Sequence, residues 1–307
     1  MRDLVTLMLI TIALAWCADH VAFGPVKHNR RQRLIVCTVV IIILLAGFAG
    51  LRTRCNDTGT YRYSYKLLTE KLWEASDKSI GSNPLFNWVN YRLKMHGVST
   101  QNFLMFWAFL TVGCYLIFVH KYSVNFPLSV FLLFTTGCYI FAFAGIKQAA
   151  AVGISVIATM FALKKKWLLF AVGILIATLI HPYSLMYLAV PFMTFKPWTK
   201  ITYWMLAAFI AAGFLLRPLL GTVVNITTLL GEEYTVSSFT GDGVNMFRVL
   251  VCNVPMVLSF LYRKKLFADS SEAENLAMNL TMLNGAIMFD GLFGTANYFA
   301  RLANYFL

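Results

Sequence analysis

Between Gly145 and Ser184 the sequence reads GIKQAAAVGISVIATMFALKKKWLLFAVGILIATLIHPYS, and this pattern permits few folds. Two apolar runs, Ala149–Leu163 and Trp167–Ile180, flank Lys164-Lys165-Lys166. Three adjacent ammonium groups do not enter hydrocarbon, so the runs pair as a hairpin of membrane helices whose lysines turn in water. Short basic loops stay on the cytoplasmic side, which sends the other end of the hairpin outward. Lys147-Gln148 and His181-Pro182-Tyr183-Ser184 are then expected to meet at that outer end. A fixed cation, an amide and an imidazole would stand together where apolar helices reach water. Taken singly, each has a plain role: Lys147 snorkels to the interface, and His181 ends a helix before Pro182.

The rest of the chain repeats the theme. Of 307 residues, 59% are hydrophobic and 13% charged, against about 25% charged in a soluble domain. The net charge of +13 lies largely in short clusters between apolar runs, at Lys27 to Arg33, Lys164–Lys166, Lys196 with Lys200, and Arg263–Lys265. That distribution orients helices against an anionic lipid surface. It argues against nucleic acid as a partner, because no basic domain with interleaved aromatics stands apart from the apolar runs. Five of the six cysteines fall in or beside apolar runs and Cys55 stands alone, so no disulfide framework or metal spacing emerges. Without a His cluster, a carboxylate-rich motif or a Gly-rich phosphate loop, no cofactor is expected.

These features predict an all-α, polytopic membrane helix bundle of about nine spans plus a C-terminal stub. One transmembrane domain over residues 1–307 is expected, with outer loops 52–101 and 217–243. Val5–Ala18, Leu34–Leu51, Phe103–Val119 and Phe126–Ala144 are among the spans, while Tyr183–Phe195 is short for a crossing that takes ~20 residues. Within the first outer loop, Leu85–Met95 carries apolar residues at helical spacing with Trp88 and Tyr91, as an interfacial helix does. The chain ends on NYFARLANYFL, which reads as the start of a further span and suggests a truncated C-terminus.

Charged and hydroxyl residues at the outer face are the candidates for chemistry. Asp57-Thr58-x-x-Tyr61 follows the second span, with Arg52 and Arg54 just before it. A carboxylate held near arginines, with hydroxyls able to bond sugar, fits a glycan site; an ordinary solvated loop with Asp57 as a helix cap is the alternative. Lys147 offers charge to a lipid-borne anion. His181, with Ser184, offers the side chain best suited to take a proton near neutral pH. Arg301, between Tyr298 and Tyr305, is a second cation or an interfacial anchor. Arg248 lies inside a predicted span and either acts there or reaches the surface. Glu232, Glu233 and Asp242 of the second outer loop are weaker alternatives as bases.

The basic-Gln pair, apolar helix, lysine turn, second apolar helix and His-x-x-Ser together resemble the EpsG family of bacterial exopolysaccharide proteins. The family is similar to Wzy-type polysaccharide polymerases and O-antigen ligases. Asp57-Thr58-x-x-Tyr61 and the Arg301 segment resemble further family motifs. The family usually has Arg-Gln where this chain has Lys147-Gln148, which keeps the charge and loses the bidentate fork that suits phosphate.

The resemblance implies a GT-C-like fold and a metal-independent glycosyltransferase in the bacterial cytoplasmic membrane. Its substrate would be undecaprenyl-pyrophosphate-linked oligosaccharide, and its partners the lipid bilayer and other polysaccharide assembly proteins. On that basis His181, or Asp57, is the base. Arg52, Arg54, Thr58, Tyr61, Lys147, Gln148, Ser184 and Arg301 bind substrate or pyrophosphate. A flippase of lipid-linked glycans and a non-catalytic export subunit are the rival readings.

Overall fold

The computed structural model describes residues 2–20, 30–68, 83–216, 243–293 and 296–306, with a few isolated positions between 217 and 242. Among these residues the chain is helical throughout, without strands. They gather into two compact units, Met1–Phe161 with Lys166–Ser184, and Ala162–Lys165 with Leu185–Leu307.

Among the described residues the first unit holds nine α-helices: α1 (Arg2–His20), α2 (Arg30–Gly50), α3 (Thr58–Leu67), α4 (Pro84–Met95), α5 (Thr100–Tyr122), α6 (Phe126–Thr135), α7 (Cys138–Ala144), α8 (Ile146–Ala162) and α9 (Trp167–Ile180). α1, α2, α5, α6 and α7 enclose one core, in which Ala46, Ala49 and Ala108 pack with Leu45, Val112, Val130 and Tyr139. Small residues let apolar helices approach closely, which is what drives association where the surroundings are as apolar as the side chains. Gly50 shows how close: a Cβ there would sit 2.5 Å from Met105 Sδ.

The expected hairpin forms. A Cβ on Gly173 of α9 would lie 2.7 Å from Ala158 Cβ of α8, so the two helices touch along their small residues. The Lys166 amide closes the turn on the Phe161 carbonyl at 2.9 Å. The run Phe126–Ala144, expected as one span, is instead two helices bent by 44°. Gly137 causes the break: its φ of 87° is left-handed, a conformation open to glycine at little cost. Thr136 assists by turning its hydroxyl back onto the Leu132 carbonyl at 2.8 Å.

α4 matches the helix expected at Leu85–Met95, with Pro84 in its first turn. Phe86 and Asn90 face inward while Trp88 stays exposed. Asn90 accepts a hydrogen bond from the buried Trp107 indole at 2.9 Å.

The second unit is built around α13 (Glu272–Asp290), beside α10 (Lys200–Leu216), α11 (Met246–Leu261), α12 (Arg263–Leu266) and α14 (Ala296–Ala303). Ser271 and Glu274 form a capping box at the start of α13. Tyr183–Phe195, expected as a short span, is a 3-10 helix over Pro182–Met193. At about 2.0 Å per residue, twelve 3-10 residues reach about 24 Å, where an α-helix would reach about 18 Å. Non-α backbone needs extra hydrogen-bond partners in hydrocarbon. Asn279 of α13 donates to the Met193 and Phe195 carbonyls at 2.7 and 2.8 Å, and Asn275 donates to Thr194 at 3.3 Å.

α1, α5 and the stretch Glu272–Phe293 are long and apolar enough to cross a membrane, and the bent pair α6–α7 makes a fourth candidate. Shorter apolar helices accompany them at Leu34–Gly50, Ile146–Ala162, Trp167–Ile180, Lys200–Leu215 and Met246–Leu261. Leu168, Trp204 and Phe247 are each more than 70% exposed. Apolar side chains standing outward along many helices suit lipid, and a soluble monomer rarely shows so many.

Candidate functional site

The site residues of the first unit start from the turn that joins α2 to α3. Cys55 and Asn56 have φ of 131° and 41°. Such conformations cost of order 1–3 kcal/mol each and persist where surrounding contacts enforce them. Here the contacts come from Arg52, only 9% exposed. Its Nε donates to Thr58 Oγ1 at 2.9 Å, and its Nη1 donates to the Ala49 carbonyl at the end of α2. The guanidinium carbon lies 5.4 Å from the centre of the Phe143 ring, an attractive cation–π placement. Nη2 is buried and has no hydrogen-bond partner. Burial lowers the guanidinium pKa from its ordinary value, and nearby Cys55, Tyr139 and Tyr61 act in the opposite direction.

Thr58 is fully buried with its hydroxyl engaged by Arg52, which makes it the residue that orients the cation. Asp57 stands at the N-cap of α3, but its side chain makes no capping hydrogen bond. The helix-cap role open to it in the sequence is not the one it takes. Arg54 is exposed. Tyr61 meets Phe86 edge-on at 6.1 Å, and Tyr65 stacks on Phe103 at 4.3 Å with its hydroxyl donated to the Val98 carbonyl.

A shared core brings the hairpin ends to this place. Ile146 at the start of α8 and Ile180 at the end of α9 pack with Tyr65, Phe86, Phe103 and Trp107, and Tyr61 borders the same cluster. Gln148 and His181 are 6% and 4% exposed, whereas Lys147 is half-buried. The His181 amide still bonds to the Ala177 carbonyl at 2.8 Å, so its backbone is held by the last turn of α9. It lies 5.1 Å from the Tyr183 ring. Ser184 donates its amide to the His181 carbonyl at 3.1 Å, while its hydroxyl is fully buried without a hydrogen-bond partner. One unit thus gathers Arg52, Asp57, Thr58, Tyr61, Lys147, Gln148, His181 and Ser184, with Arg54 on the exposed turn. Arg301 belongs to the other unit, in the last turn of α14. Glu232, Glu233 and Asp242 lie outside the described residues, as do Lys27 and His28 of the Lys27 to Arg33 cluster.

Residues 35–307 match the sequence model of the EpsG family. The chain belongs to the EpsG family. Membership, together with the apolar helices, makes it a membrane protein associated with polysaccharide synthesis, in a family associated with glycosyltransferase-like polymerases. Neither the curated proteins nor the solved structures contain a match.

Sequence reasoning passed over one residue of this EpsG-family chain. Asp290, near the end of α13, is 3% exposed, and its Oδ1 has no hydrogen-bond partner. Gly213 of α10 makes room for it, since a Cβ there would lie 2.2 Å from the carboxyl carbon. The signal was present: Asp290 is the one acid between Leu276 and Phe293, an expected span. An acid inside such a run is a functional suspect by default.

Proposed function

We propose that this chain is a membrane glycan polymerase. It transfers an oligosaccharide from one undecaprenyl-pyrophosphate carrier to a hydroxyl of another lipid-linked repeat unit, at the outer face of the bacterial cytoplasmic membrane. The observation that carries the reading is the common core of Tyr65, Ile146 and Ile180, which draws α3 and both ends of the hairpin together. In the reaction, the acceptor oxygen bonds to the anomeric carbon as the carbon–oxygen bond to pyrophosphate breaks. His181 takes the acceptor proton, with Asp57 as the alternative base. Lys147, Arg52 and Arg54 neutralise the charge that develops on the departing pyrophosphate. Tyr61 stacks on sugar, and Gln148 and Ser184 bond to its hydroxyls.

The test is the full chain in lipid, supplied with short-chain undecaprenyl-pyrophosphate oligosaccharide, with product length read on a gel. The polymerase reading expects a ladder from wild type that is lost in correctly inserted His181→Ala and Lys147→Ala variants. A ladder of unchanged rate in both variants would refute the site assignment, and intact substrate with wild type would refute the polymerase.

A carrier of lipid-linked glycans is the second reading. It is favoured by two interruptions of helical backbone in the first unit, at Gly137 and at His181, since broken helices build many transport sites. Movement of labelled lipid-linked glycan across vesicles without bond formation would select it.

A further inference from the structure

Residues 194–199 join the 3-10 helix to α10 within the second unit, and they are tied down on two sides. On one side Asn275 and Asn279 of α13 hold the carbonyls of Thr194 and Phe195. On the other, the Trp198 indole donates to Ser259 Oγ at 3.0 Å, and its ring meets Phe260 edge-on at 5.0 Å. The Trp198 φ of 60° is left-handed. A bulky residue keeps such a backbone where its contacts outweigh the strain. Trp198 is thus anchored to the last turn of α11, with Lys196 two residues before it and Lys200 two residues after.

Phe260 brings a third cation to the same turn. The Arg263 guanidinium carbon lies 4.2 Å from the centre of its ring, and Arg263 Nη1 donates to its carbonyl at 2.7 Å. Among the described residues the rest of that guanidinium fork has no hydrogen-bond partner. The acids of this region are engaged elsewhere. Glu272 pairs with Lys165 at 2.7 Å, and Glu274 closes the capping box on Ser271. Lys196 Nζ donates to the Ala268 carbonyl at 3.2 Å rather than to neighbouring Asp269, which is exposed. Among the described residues Lys196, Lys200 and Arg263 therefore have no carboxylate within ion-pair distance.

Beside the cations the surface turns apolar. Ile201, Tyr203 and Trp204 follow Lys200, while Leu261 and Tyr262 precede Arg263, and all five are exposed. Aromatic and basic residues at helix ends mark the headgroup level of a bilayer. An acidic soluble protein would leave the apolar flank uncovered, whereas a molecule with an anionic head and acyl tails meets both parts.

We propose that Lys196, Lys200 and Arg263, arranged around Trp198, bind the phosphate of an anionic phospholipid whose acyl chains cover the exposed apolar residues beside them. Basic pockets among membrane helices hold such headgroups. Arg263 supplies paired, directional donors to the phosphate, and the lysines supply charge. The site shares no residue with the proposed glycan site and stands whether or not the chain is a polymerase.

The experiment uses the full chain in neutral detergent micelles, titrated with dioleoylphosphatidylglycerol, with bound lipid counted by native mass spectrometry. Wild type is expected to bind saturably, without competition from phosphatidylcholine. Arg263→Gln and Lys200→Gln are each expected to weaken binding about tenfold or more, and Arg263→Lys to recover part of the loss. Lys66→Gln removes the same charge from α3 and is expected to bind as wild type. Each variant is first matched to wild type in thermal unfolding without lipid. Lys200 makes no side-chain hydrogen bond among the described residues, so its variant keeps the test open if Arg263→Gln disturbs Phe260. Equal affinity in wild type and Lys200→Gln, with Arg263→Gln also unchanged or misfolded, would overturn the site. So would an equal loss in Lys66→Gln, because net charge alone would then explain the binding. Displacement of the lipid by equimolar glycerol phosphate would overturn it too, since the ligand would be a soluble phosphate with no use for the apolar flank.

Discussion

Replacing Gly213 with alanine tests how tightly the second unit closes on its buried acid. In an unconstrained helix interior this change stabilises by about 0.5–1 kcal/mol, because alanine has less backbone entropy to lose. Here the new Cβ would stand 2.2 Å from Asp290 Cγ and 2.3 Å from Oδ1. Real Cβ atoms do not approach so near, and Asp290 is a short, buried side chain with little room to swing away. Overpacking of this kind costs roughly 1–3 kcal/mol. The propensity gain offsets only part of that, leaving a net loss of about 0.5–2 kcal/mol. Shortening Asp290 to alanine removes the obstacle, so the double variant recovers more than additivity allows, with a coupling of about 1–3 kcal/mol. The assay is reversible unfolding in mixed micelles for wild type, both single variants and the pair. A Gly213→Ala protein more stable than wild type, or additive effects in the pair, would refute the close packing of α10 on α13.

Other positions give equally direct checks. Thr58→Val removes the acceptor that Arg52 Nε uses, a hydrogen bond to a charged group worth about 1.5–3 kcal/mol, whereas Thr58→Ser keeps it; unfolding midpoints should separate the two variants, with valine the worse. Asn279→Leu strips the donors from the Met193 and Phe195 carbonyls and is expected to cost about 1–3 kcal/mol, seen as faster proteolysis after the 3-10 helix. Gly137→Val forces a β-branched residue to φ 87° and should destabilise by roughly 1–2 kcal/mol or more, measured by the same unfolding assay. Lys165→Ala loses an exposed ion pair to Glu272 at 2.7 Å and should shift stability by less than about 1 kcal/mol.

The hairpin was legible because Lys164–Lys166 leave no alternative to a turn in water, and the meeting of its two open ends, where Ile146 and Ile180 share a core, followed from that turn. What gathers there was legible only as separate motifs. Nothing in Arg52 to Thr58 states that the arginine is buried, since burial depends on Phe143 and on the end of α2 rather than on neighbouring residues. The break at Gly137 was hidden because glycine is common in membrane helices, and a left-handed φ leaves no mark in composition. The short run after His181 announced an anomaly in length but not its solution, which lies in asparagines of α13 some eighty residues later. Those asparagines read as breaks in an apolar pattern until the carbonyls they serve are in view.

The bond from Arg52 to Thr58 also says which changes an EpsG-like chain can absorb at this turn. It closes a ring of fixed length, six residues from donor to acceptor, while Thr53, Arg54, Cys55 and Asn56 face outward. The bond itself does not fix their identities, but it fixes their number: an insertion or deletion between the two partners would part them whatever residue it brought. At Cys55, whose φ is 131°, glycine would fit with less strain than the residue present. Relatives that share this turn should differ from it by substitution, with glycine recurring at that one position, and align across it without gaps.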